Sequence, residues 1–157
     1  MTRHPSVEEL GQPALQLAGF QLWVHGYEFQ DSADYWDANW LRVTAHCGGL
    51  GASVWATGAL LRNVDLAGWA EKCDALREGK AQRAELAPLD PEVKVVIEPR
   101  DRLGHLSVLV EITPEHLSQR HSFEFDIDQT YLLDIARMCR AILGAYPVRG
   151  DEASRGV

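Results

Sequence analysis

Cysteine is scarce in this 157-residue chain, and Cys47, Cys73 and Cys139 form an odd number at no short repeated spacing. That excludes a disulfide framework and a zinc ribbon as organising devices. Long apolar runs are missing as well. Met1-Thr2-Arg3-His4-Pro5 leads into Glu8-Glu9 with no continuous apolar segment, so neither a secretory signal nor a membrane span is expected and the cytoplasm is the default. Basic charge is in short supply: 15 Lys plus Arg stand against 23 Asp plus Glu, a net charge of −8. Such a surface repels phosphate backbones and attracts cationic ones, which argues against nucleic acid and for a basic protein as partner. Repeats and low-complexity tracts are absent.

A coherent catalytic or metal-binding set is missing too. Gly48-Gly49-Leu50-Gly51 runs into strand-like sequence, whereas a phosphate cradle needs a helix N-terminus directly after its glycines. His46 and Cys47 are neighbours on a strand and point to opposite faces, so the histidine cannot readily activate the thiol. His105, His116 and His121 lack a third ligand at usual spacing. Glu124 and Asp126 share an outward strand face with no cleft residues beside them. Asp31, Asp34 and Asp37 recur every three residues, not every two with a glycine and a closing glutamate as a calcium loop requires. No cofactor, metal or catalytic residue is therefore expected.

The chain does carry the means to bury a core. With 46% hydrophobic and 24% charged residues it reads as an ordinary globule. A domain of this length buries roughly 70% of its unfolded surface. Residues 1–13 are polar and Pro-punctuated and read as a flexible arm, 14–147 as a single domain, and 148–157 as a polar tail. Alternation at Leu15 and Leu17 slips phase across Ala18-Gly19 before continuing at Phe20, Leu22 and Val24, the mark of a bulge or turn in an early strand or hairpin. Leu41, Val43 and Ala45 make a strand that returns after the glycine turn along 54–61. Leu66, Trp69, Ala70, Cys73 and Leu76 stack on one face of a helix over 64–78, with Asn63 as its expected N-cap. About four strands follow, and Asp128 is expected to cap a last helix with Leu132, Ile135, Cys139, Ile142 and Leu143 inward. The order βββ-α-ββββ-α predicts an α+β fold: one antiparallel sheet of six to seven strands with both helices on one face.

The most unusual stretch is 26–43. It places Glu28, Asp31, Asp34 and Asp37 among Tyr27, Phe29, Tyr35, Trp36 and Trp40, with no basic residue before Arg42. Asp37 and Asn39 read as backbone-bonding residues that shape the entry to the next strand, with Trp40 in the core. Glu28, Asp31, Asp34, Tyr35 and Trp36 are the candidate partner contacts, because aromatic residues on loops are common interface anchors.

Gly26-Tyr27-x-Phe29, an acidic gap and Asp37-Ala38-Asn39-Trp40-Leu41 together resemble the N-terminal signature of the WapI-type immunity proteins. Leu60-Leu61 before a helix carrying Leu66 and Trp69, and a last helix ending near Tyr146-Pro147, fit the same layout, from about Leu17 to Pro147. Glu85-Leu86-Ala87-Pro88 departs from it where an aromatic-Glu-Pro phrase is expected. The resemblance implies a non-catalytic inhibitor of a cognate bacterial toxin domain in the cytoplasm. A monomer or weak homodimer is expected, with an exposed sheet edge as the place a homodimer would form. The alternative is a small-molecule-binding or enzymatic domain with a site between sheet and helices, for which Tyr27, His46 or Cys47 would line the pocket.

Overall fold

Phe20–Tyr27 (β2) lies at the heart of the first of two sheets in the computed structural model, which describes residues 7–150. The remainder of the expected arm and tail, 1–6 and 151–157, lies outside the described residues. A short helix, Val7–Leu10 (α1), precedes Leu15–Leu17 (β1). The phase slip is a tight hairpin between β1 and β2, made by Ala18 at φ 52° followed by Gly19. Gly19 has no room for a side chain: a Cβ there would lie 2.1 Å from the Gly48 carbonyl oxygen and 2.7 Å from Phe125 Cζ. The hairpin is thus wedged against the end of the next strand and against the second sheet. Gly19→Ala is expected to cost about 1–3 kcal/mol through overpacking, read as a lower urea midpoint at unchanged m-value.

After β2 come Tyr35–Ala38 (α2), Trp40–Gly49 (β3), Ala52–Arg62 (β4) and Asn63–Arg77 (α3). The second half is Ala84–Leu86 (β5), Val93–Pro99 (β6), His105–Ile112 (β7), Ser122–Asp128 (β8) and Thr130–Ala145 (α4). Strand order is β1-β2-β3-β4 in one sheet and β5-β6-β7-β8 in the other, every pair antiparallel. Each sheet is a meander closed by a long helix.

The α+β class with antiparallel pairing holds, but the expected single sheet of six to seven strands is corrected to two sheets of four. There are also four helices among the described residues, two of them only four residues long. The split falls where α3 enters between β4 and β5, since no hydrogen-bonded ladder joins those two strands. Nor do the helices cover one face of one sheet. They pack on each other, α3 reaching β5 and α4 reaching β1, so that both sheets and both helices share one core. Trp69 of α3 is among its largest fully buried side chains, with Leu66 and Cys73 of the same helix and Ile135 and Cys139 of α4 fully buried as well.

At the helix starts the details differ from expectation. Arg62, not Asn63, occupies the N-cap of α3, and its N–H is taken by the Asp65 carboxylate at 2.8 Å. Asp128 sits one residue before the N-cap of α4 yet still accepts the Thr130 N–H at 2.9 Å. Burial raises the Asp65 carboxyl pKa, against the opposing pull of Arg62.

Two irregularities shape the end of the first sheet from which the acidic loop emerges. Register shifts between Val24 and Gly26 in β2, and again beside Leu41–Arg42 in β3. Gly26 takes φ 146°, a region open to glycine and strained for other residues. Such bulges bend and twist the strands they interrupt.

Candidate partner-binding loop

The segment between β2 and β3 is built around a short helical turn. Asp34 caps α2, its carboxylate accepting the Trp36 N–H at 3.3 Å, while Ala38 N–H returns to the Asp34 carbonyl at 2.7 Å. Asn39, fully buried, ends the turn. Its amide donates to the Tyr35 carbonyl at 2.7 Å and the Arg149 carbonyl at 2.9 Å; its Oδ1 accepts from the Arg149 N–H at 2.8 Å and from Asn63 Nδ2 at 3.2 Å. The same Asn63 amide donates to the Tyr146 carbonyl at 3.1 Å. One buried amide pair therefore ties the loop, the start of α3 and the chain beyond α4 together.

Arg149 completes the attachment. Its guanidinium donates to the carbonyls of Phe29 (2.9 Å), Gln30 (3.0 Å) and Ala38 (2.7 Å), and it stacks 3.6 Å from the Tyr27 ring centroid. Tyr27 in turn donates its hydroxyl to the Pro147 carbonyl at 2.5 Å, and burial raises its phenol pKa. Backbone contact is equally close at Gly150, where a Cβ would meet Tyr35 Cα at 2.6 Å.

The five candidate contacts are brought onto this one loop, in different circumstances. Glu28 is half-buried and pairs with Arg42 at 3.6 Å. Asp31 and Asp34 are exposed, as is Asp37, and among the described residues none of these three carboxylates has an ion-pair partner. Tyr35 is half-buried and meets Trp36 edge-on at 5.6 Å. Trp36 keeps 41% of its surface exposed. Beneath it lies the Arg62 guanidinium, 5.5 Å from the Trp36 ring and 5.7 Å from the Trp40 ring, held in turn by Asp65 at 3.6 Å. Trp40 is thus half-buried beside a cation and does not fill the core.

Sequence reasoning missed three participants. Phe29 is 46% exposed on the same loop, and its signal was present in the aromatic count. Asn63 has the chemistry of an N-cap, but its amide serves Asn39 and the Tyr146 carbonyl. Arg149 stood in a stretch with no periodicity, and only its spacing after Tyr146-Pro147 could have hinted that the chain turns back there.

The other candidates are accounted for by their surroundings. Cys47 is fully buried, its thiol pKa pushed up to about 12 by burial, and His46 lies on the opposite face. There His46 bonds Gln21 Oε1 at 3.0 Å and Ser53 Oγ at 2.7 Å, and packs 4.2 Å from the Trp55 ring; burial holds its pKa below the usual histidine value. Cys73 and Cys139 are likewise buried thiols raised to about 12. His105 bonds Asp101 at 2.6 Å across the β6–β7 turn. Asp126 is paired with Arg100 on the outer face of the second sheet. Among the described residues no three His, Cys, Asp or Glu side chains are grouped to hold a metal, and no helix is long and apolar enough to cross a membrane.

The fold is thus a two-sheet α+β domain that presents an acidic, aromatic loop on a buried polar mount. Residues 14–147 match the model of the Immunity protein WapI-like family, and the chain belongs to that family. A search among curated proteins finds no match. Among solved structures, the trypanosoma bruciei MRP1/MRP2 crystal structures align at 13% identity and a TM-score of 0.43, over 84% of this chain and 88% of that one.

Proposed function

We propose that this protein is a non-catalytic cytoplasmic inhibitor that binds a cognate bacterial toxin domain and neutralises it in the producing cell. Family membership supports the toxin-immunity role. The observation that directs the reading to one surface is the loop 28–38: three exposed carboxylates, without ion-pair partners among the described residues, beside the exposed rings of Phe29 and Trp36. Aromatic rings supply the apolar centre of an interface, and a surrounding excess of negative charge steers a basic partner to it.

Co-expression tests the reading. The toxic domain encoded beside this gene, induced in cells that otherwise die, is expected to be tolerated when this protein is present and to co-elute with it on gel filtration. Continued killing with every neighbouring candidate contradicts the proposal. Runs at several concentrations of the free protein also read whether it is a monomer or a weak homodimer.

The charge contribution can be isolated. Asp31→Asn with Asp34→Asn removes two charges, and the Asn at 34 retains an oxygen for the Trp36 N–H. Association with the toxic domain is expected to slow about tenfold at low salt and to lose much of its salt dependence, with dissociation little changed. Stopped-flow measurement between 20 and ~300 mM salt spans the change in screening length that decides it. Equal rates at all salts would remove these carboxylates from the interface.

A further inference from the structure

We infer that the segment 147–150 is part of the docking apparatus, and that Arg149 is the positioning residue that holds loop 28–38 in its partner-binding shape. The inference rests on the toxin-inhibitor reading above.

The loop has little internal support. Outside α2, the backbone bonds among the described residues between Phe29 and Ala38 are Ser32 N–H to the Phe29 carbonyl at 3.4 Å and Ala38 N–H to the Asp34 carbonyl at 2.7 Å, joined by Asp34 N–H to Ser32 Oγ at 3.3 Å and Trp36 N–H to Asp34 Oδ1 at 3.3 Å. The carbonyls of Phe29, Gln30 and Ala38 converge on a single point, and three like-signed oxygens do not remain together without a donor between them. Arg149 is that donor. Its planar fork presents several N–H groups at once and its face rests on Tyr27, a geometry that a lysine ammonium cannot reproduce.

The choice of acceptors matters as much as the number of bonds. The loop carries four carboxylates, Glu28, Asp31, Asp34 and Asp37, and pairing with a carboxylate is the ordinary use of a guanidinium. Here its hydrogen bonds go to carbonyls, so the loop gains a brace without a carboxylate being engaged in an ion pair with it. Asn39 holds both the N–H and the C=O of Arg149, which fixes the backbone from which the fork projects. A loop held in this way before binding does not have to be ordered during it, and that saving appears as affinity.

The test uses the full chain carrying Arg149→Ala or Arg149→Lys, with hydrogen exchange of the free protein and binding to the toxic domain encoded beside the gene. Amides in 28–38 are expected to exchange faster in both variants while α3, α4 and the second sheet keep their wild-type rates. Affinity is expected to fall about tenfold for Arg149→Ala, and by less for Arg149→Lys, which keeps the charge. Tyr27→Phe, which removes only the bond to Pro147, provides a milder lesion of the same attachment. Unchanged exchange in 28–38 overturns the brace. Faster exchange with unchanged affinity overturns its role in docking. If wild type itself fails to bind or protect, the toxin-inhibitor reading falls and the docking role falls with it, while the exchange data still decide the brace.

Discussion

Trp36→Ala is expected to weaken the complex with the toxic domain by ~2–4 kcal/mol, about 30- to 1,000-fold in Kd, placing it among interface hot spots. The ring is large and partly exposed, and Arg62 beneath it, sandwiched with Trp40 and held by Asp65, limits the orientations it can take. A rigid aromatic contact brings much area to an interface for little lost side-chain freedom. The free protein should lose less. Among the described residues Trp36 gives up a surface cation–π contact with Arg62, worth about 0.5–1 kcal/mol, and its edge-on contact with Tyr35. Titration calorimetry alongside a denaturant curve separates the two quantities. Near-wild-type affinity would place Trp36 outside the interface.

Asn39→Ala is expected to produce the largest loss of stability on this side of the molecule, about 3 kcal/mol, or a fall in Tm of roughly 10 °C for a domain of this size. Removing this fully buried side chain leaves the Tyr35 and Arg149 carbonyls and the Arg149 N–H, all part-buried, and one N–H of the buried Asn63 amide each short of a partner. Such orphaned groups cost more than the net value of the bonds they made. The damage should also spread to Arg149, so faster exchange in 28–38 accompanies the lower Tm. A change below about 0.5 kcal/mol, the range of ordinary surface substitutions, would show that the amide pair contributes little.

These effects concentrate where the sequence was partly legible. The helix expected over 64–78 is Asn63–Arg77, because an apolar stripe of Leu66, Trp69, Cys73 and Leu76 has no other periodic reading. The slip at Ala18-Gly19 marked a bulge or turn in an early strand or hairpin, and it is the turn of the first hairpin. Alternation, however, says which face of a strand is wet and nothing about which strands pair, so one sheet and two sheets look the same along the chain. The acidic loop was visible as composition. Its mount was not, because Asn39 and Arg149 meet across 110 positions through backbone groups, and a backbone carbonyl leaves no trace in residue identity. Asn63 shows the same limit: a residue with the chemistry of a cap used that chemistry on Tyr146 and Asn39.

The loop and its mount together define a division of labour. Buried amides and one guanidinium hold the backbone, the two bulges in the first sheet lie where the loop leaves it, and Phe29, Asp31, Asp34, Trp36 and Asp37 are exposed. Charge governs how quickly a basic partner arrives and aromatic burial how long it stays. Substitutions at Asp31 and Asp34 should therefore act on association, and those at Phe29 and Trp36 on dissociation.

Hydrogen exchange of the protein alone and in complex with the toxic domain tests the central claim most directly. Protection on binding is expected to concentrate in residues 28–38, with a smaller effect at 147–150 where Arg149 braces the loop from behind. A stable, protective complex whose added protection lies elsewhere, with the amides of 28–38 exchanging as in the free protein, would contradict it.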